Sequence, residues 1–259
     1  AEAIGRIKSL KGLRLEVDGL TDAGARNLGN LGELVSLEVA DASLGGGLEA
    51  WSKIPKLERV YLWNGTVSAE GMARFGALRT VTELGTSGTR LAGSLASIGR
   101  MPALRTLRLW YAGLDEDQIA SLGGPSELRY LELPGAKLGA TAFAGIAKLP
   151  QLAGLNLRKS EVVGGLEALA AATKLERLAL TEAKIDDTAG TGLGALRGLQ
   201  WLWLSETKIG DRTAAALAGL PALQHLDLGQ TAITDEALRA LTKCRASSNS
   251  AARREWQTE

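Results

Sequence analysis

Cysteine and histidine are nearly missing from this chain, with one of each in 259 residues. A single cysteine, Cys244, excludes an internal disulfide framework and any thiolate metal cluster. A single histidine, His225, leaves little for zinc binding or imidazole catalysis. No charge of either sign dominates, since 30 Lys and Arg face 29 Asp and Glu for a net charge of +1. That balance gives no long-range attraction for nucleic acid or an anionic membrane. No apolar run approaches the ~20 residues of a membrane helix, although 45% of the residues are apolar, enough for a folded core. The expectation is a soluble monomer without cofactor or metal, with the cytoplasm favoured among compartments that the sequence leaves open.

What the chain does have is a repeat. The pattern L-x-x-L-x-L begins at Leu10, Leu34, Leu57, Val81, Leu104, Leu128, Leu152, Leu175, Leu199 and Leu223, always 23 or 24 residues apart. The first half of each unit, as in "LQWLWL" (199–204), alternates apolar and polar and reads as a short strand. The second half usually opens on a helix-start signal, as in "LTDAGARNL", "VSAEGMARF", "LDEDQIASL" and "ITDEALRAL". Thr21, Ser68, Asp115 and Thr234 are its expected N-caps, each offering a side-chain oxygen to an orphan backbone N–H. Apolar residues then recur at three-residue steps, as in Leu48, Trp51 and Ile54, which is one face of a short helix. The three 23-residue units carry "LGGGLEA", "LAGSLAS" and "VVGGLEA", a glycine-containing turn in place of the capped start.

One strand and one helix cannot bury a core alone, but a stack of them can. The chain resembles the leucine-rich repeat family over residues 10–246. "LQHLDLGQTAITDEALRAL" fits its L-x-x-L-x-L-x-x-(N/C/T)-x-(L/I) signature, with Thr231 in the ninth position. The short units are most like bacterial leucine-rich repeats and more distantly like the ribonuclease-inhibitor group. The resemblance implies an α/β solenoid: a curved arc of about ten repeats, parallel sheet on the concave face, short helices on the convex face. It does not imply one partner, because function resides in sites grafted on a fold. Thr86 stands where the third core leucine of unit four belongs, and several ninth positions hold Ala, Gly or Ser. The backbone bonding of an asparagine ladder is therefore in doubt.

Residues 1–9 read as the helix end of a preceding repeat, because Ile4 and Ile7 precede Leu10 as Leu28 and Leu31 precede Leu34. Cys244 falls in a core slot and reads as a small buried thiol. Residues 247–259 leave the pattern, with Ser247 and Ser250 where strand leucines belong, and Trp256 is either in a disordered tail or part of a weak cap. The chain thus resembles a section of a longer protein.

"LRTLRLWYAG" (104–113) shows where chemistry enters. Strand positions four and six face the core, so three, five and seven face outward on the sheet side, and eight lies just beyond. These four positions make up about 15% of the chain, and an even scatter would put fewer than two aromatic residues there. Seven fall there: Tyr61, Trp63, Trp110, Tyr111, Tyr130, Trp201 and Trp203. Phe75, Phe143 and Trp51 go to helix core slots instead. Tyr and Trp are enriched in binding hot spots, so the sheet face is the expected site of partner recognition. Alternatively, these rings pack on neighbouring strands and shield the sheet.

Equivalent positions two units apart are separated by about 10 Å. Tyr61 and Trp63 on one side, and Arg108 and Trp110 on the other, should therefore wall a trough floored by Gly85 and Ser87, wide enough for an inserted side chain or sugar ring. Tyr111, Tyr130, Asn156 and Arg158 extend the face, and Glu132 is placed to pair with Arg108. A second cluster holds Trp201, Trp203, His225 and Asp227. Trp110 and Trp203 lie roughly 20 Å apart, which suits a folded partner better than a metabolite. Ser205, His225 and Asp227 fail as a catalytic triad, because Ser205 and His225 are roughly 13 Å apart along the strand direction. Recognition of a protein or peptide is the leading expectation and enzyme activity is not expected. Carbohydrate, single-stranded nucleic acid or a purely structural scaffold are the alternatives. "NGT" at Asn64 to Thr66 also matches a glycosylation acceptor, a weak three-residue signal.

Overall fold

A computed structural model describes residues 4–16, 19–123 and 127–241. Cys244, Ser247, Ser250 and Trp256 lie outside the described residues. Ten strands form one parallel sheet whose spatial order is the chain order. In-register pairs such as Tyr61↔Gly85↔Arg108 show that each unit adds one rung to the last. Units one to five contribute five-residue strands, for example Arg59–Trp63 and Thr106–Trp110. Units six to ten contribute three, for example Tyr130–Glu132 and Trp201–Trp203. In units six to eight the N–H at position nine turns back to the carbonyl at position six (Ala136 to Leu133, Ser160 to Leu157, Ala183 to Leu180). The change begins at Pro134, which has no N–H for the ladder.

The leucines form one continuous core: Leu104, Leu107 and Leu109 are buried, as are their counterparts along the stack. Trp51, Phe75 and Phe143 are buried in the helical layer as expected. The Trp51 indole N–H also donates to the Ala25 carbonyl of the preceding unit at 3.0 Å. Ile4–Arg6 is a 3-10 turn, with Ile4 against the core and Ile7 half exposed. The glycine-containing units have tighter helices: 3-10 over Gly46–Lys53 and Leu166–Ala171, and four α residues over Ala96–Gly99.

Three expected caps form. The Ser68 hydroxyl accepts from the Gly71 N–H and the Thr234 hydroxyl from the Glu236 N–H. Asp115 closes a reciprocal capping box with Gln118. Thr21 makes no side-chain cap bond. Its neighbour Asp22 instead accepts from the Gly45 N–H of the next unit at 2.7 Å. The same inter-unit link recurs from Asp187 to Gly210 and from Asp211 to Thr234. Burial pushes the Asp187 carboxyl up, but the nearby Thr213 hydroxyl and the backbone N–H groups of Gly210 and Thr213, which donate to Oδ1 at 2.7 and 3.0 Å, outweigh it and hold the group below the usual carboxylate range. The unfolded chain therefore protonates first. The contribution of Asp187 is complete above the ordinary Asp pKa of about 3.9 and is lost as pH falls through the lowered native value. Asp187→Ala should cost about 1–3 kcal/mol at pH 7, measured by urea unfolding, with the difference from the parent protein shrinking toward pH 3.

No complete asparagine ladder is present, and hydroxyls replace part of it. Thr89 and Ser160 donate to the Leu62 and Leu133 carbonyls of the preceding unit, both at 2.9 Å. Thr207 and Thr231 donate to carbonyls of their own units. Thr86, the off-pattern core residue, is buried and its hydroxyl has no partner.

Candidate recognition face

Every described residue at position eight has positive φ: Asp41, Asn64, Gly88, Tyr111, Gly135, Lys159, Glu182, Glu206 and Gln230. In units two to nine its N–H continues the ladder to the position-seven carbonyl of the next unit, as from Asn64 to Ser87. The backbone demands this kink whatever side chain is present, although a left-handed non-glycine residue costs about 1–2 kcal/mol. Asp, Asn and Gly suit it; Tyr111 does not, yet it is held at φ 52 and is 58% exposed. Its ring lies against Gly135 of the next unit, where an added Cβ would come within 2.8 Å of it.

The expected trough has the right walls and floor in register, but it is closed. Tyr61 lies over Gly85, so that a Cβ there would come within 2.4 Å of the ring. The Tyr61 hydroxyl donates to Glu83 Oε1 at 2.5 Å and accepts from Arg108 Nη1 at 3.2 Å. Arg108 also binds Glu83, and its Nε donates to Glu132 Oε1 at 3.0 Å. Trp110 Nε1 donates to the other Glu132 oxygen at 2.9 Å. Trp63 stacks beside Tyr61 and meets Trp110 edge to face, with centroids 6.3 and 6.4 Å away. The remaining dimple is about 10 Å³, room for about one water and too little for a sugar ring or an inserted side chain. The large side chains fill the space because burying a ring over glycine is favourable and the polar ends of Tyr61, Arg108 and Trp110 find mutual partners, whereas the buried Trp63 indole N–H has none.

Burial pushes the Tyr61 phenol up, against the pull of Arg108. Gly85→Ala should lift the ring and return that phenol toward its ordinary range. Alkaline spectrophotometric titration of the three tyrosines would show the displaced transition.

The expected Arg108–Glu132 pair forms, but Glu132 is only 8% exposed and both oxygens are engaged. Asn156, placed on the exposed face by its position, is 6% exposed, and its side-chain oxygen accepts from the Arg158 N–H. Arg158 binds Glu182 at 3.2 Å. Tyr130 and Ser87 are half-buried on the same side. In the second cluster His225 stacks on Trp201 with centroids 3.3 Å apart, Trp203 lies 6.1 Å from Trp201, and Arg177 sits over the Trp201 ring at 5.7 Å. Arg177, whose strand position faces outward, joins this cluster through its register with Trp201 and His225. Asp227 accepts from the Gly229 N–H, while Ser205 is 3.4 Å from the Thr181 hydroxyl. These partners give no nucleophile–base pair. Among the described residues no group of acids, His or Cys is arranged to hold a metal ion, and no helix is long and apolar enough to cross a membrane.

Neither a protein-family model nor a curated protein matches the sequence. Solved structures do match in fold. A leucine-rich-repeat protein of Leptospira interrogans aligns with TM-score 0.68 at 20% identity, covering 94% of this chain and 62% of its own. An internalin of Listeria monocytogenes gives 0.54 at 20%, covering 95% and 81%. The Arabidopsis receptor kinase HAESA, solved with a peptide hormone and a co-receptor, gives 0.57 at 20%, covering 90% and 40%. The chain thus spans less than two thirds of the first and third of these.

Proposed function

From the premise that the chain folds as a leucine-rich-repeat solenoid, we propose that it is a non-enzymatic recognition module that binds a protein or peptide on the concave sheet face. The carrying observation is the concentration of Tyr61, Trp63, Trp110, Tyr111, Tyr130, Trp201 and Trp203 on that face, five of them packed in two clusters. The receptor kinase HAESA, similar in fold, was solved in complex with a peptide hormone, which supports peptide recognition in general. The closed trough favours a partner that lies across a firm aromatic platform over one that inserts a ring. Preorganised rings lose little conformational freedom on binding, which favours affinity.

Trp63, Trp110 and Trp203 are the anchors of this reading. A triple alanine variant should weaken partner binding by more than about 2 kcal/mol, read by affinity capture against the parent protein. Because Trp110 is hydrogen-bonded and packed on Trp63, some thermal stability should be lost as well. Capture of the same partners at the same strength by a folded triple variant would reject the proposal.

A further inference from the structure

The aromatic cluster is internally neutralised, yet the edge where its strands begin is not. Arg79, near the end of unit three and two residues before Val81, and Arg105 and Arg129, in units five and six, are exposed. Arg105 and Arg129 occupy position two of adjacent units, joined by an Arg129 N–H to Arg105 carbonyl bond of 2.9 Å. Among the described residues these three guanidinium groups have no ion pair. Nearby carboxylates are mostly engaged: Glu83 and Glu132 by Arg108, and Glu58 within 3.8 Å of Arg59. Glu127 alone, exposed between these units, opposes the three. A local excess of positive charge therefore borders Tyr130 and Thr106, which directly follow Arg129 and Arg105.

We infer that the partner presents an acidic peptide segment, its carboxylates on Arg105 and Arg129 and an apolar side chain on the platform of Trp63, Trp110 and Tyr111. This rests on the recognition reading above and specifies its partner chemistry. A guanidinium offers a planar pair of N–H donors matched to a carboxylate. Its charge at the rim of an interface steers encounter and makes association sensitive to salt. A polynucleotide fits less well, because its evenly spaced phosphates would run from the three arginines onto the uncharged Ala153 and Gly154 of the next unit.

The test uses short synthetic peptides of matched aromatic content in acidic, neutral and basic series, with a single-stranded oligonucleotide as a further probe. Binding is read by fluorescence anisotropy on the whole chain. The acidic series should bind at least about tenfold tighter than the basic one, weaken with salt, and lose that preference in R105E/R129E. Those positions are exposed, so the melting temperature should hold. Equal binding of all series, abolished by alanine at Trp63 and Trp110, would overturn the acidic inference and leave face recognition standing. Acidic binding lost in R105E/R129E but indifferent to the two tryptophans would do the reverse. Preference for the oligonucleotide would overturn the inference in favour of nucleic acid, and no binding by any probe would overturn both readings.

Discussion

Glu132→Ala should lower stability by about 2 kcal/mol and loosen the platform at the same time. Glu132 is nearly buried and joins Arg108 to Trp110 through separate oxygens. Removing one member of a buried ion pair typically costs about 3–5 kcal/mol, because the other charge is left uncompensated. Here the cost is smaller: the Arg108 side chain is 26% exposed and keeps Glu83. The Trp110 N–H loses its only acceptor and must turn to solvent. Urea unfolding would measure the loss, and a red shift in indole emission would report the freed ring. Glu132→Gln keeps an acceptor for Trp110 and should cost less. An unchanged unfolding midpoint for the alanine variant would mean that the network contributes nothing to stability.

The largest expected loss is at Trp51. Trp51→Ala should cost about 3–5 kcal/mol, because it removes a wholly buried ring from a layer with little room to collapse. Trp51→Phe retains most of the volume but leaves the Ala25 carbonyl without its indole donor, a loss of about 1 kcal/mol plus the smaller ring. Units touch mainly their neighbours, so the damage should be local. Hydrogen exchange should quicken first in unit one, whose helix Asp22–Leu28 packs on the Trp51 segment, while units seven to nine keep their protection.

Much of this architecture was legible in the sequence, because a repeat of fixed register places each residue in a numbered row. The row assigned Leu107 and Leu109 to the core and brought Arg108 beside Glu132, and both placements hold. A row does not specify where a long side chain lies once it leaves the backbone. Tyr61 lies down on Gly85 because glycine leaves a space in the next unit, and that single choice closes the trough the row pattern predicted. Asn156 sits in an outward row yet is buried, since its side-chain oxygen serves the Arg158 N–H. Left-handed backbone at position eight was readable at Asp41, Asn64 and the glycines. At Tyr111, Lys159 and Glu206 the stack imposes it against local preference.

The four sheet-face tryptophans also amount to two optical probes that the molecule already carries. Trp63 with Trp110, and Trp201 with Trp203, form pairs close enough for excitonic coupling, and His225 lies flat on one member of the second pair as a contact quencher. A ligand settling on one half of the arc would perturb its own pair's ellipticity and lifetime and leave the other as an internal reference.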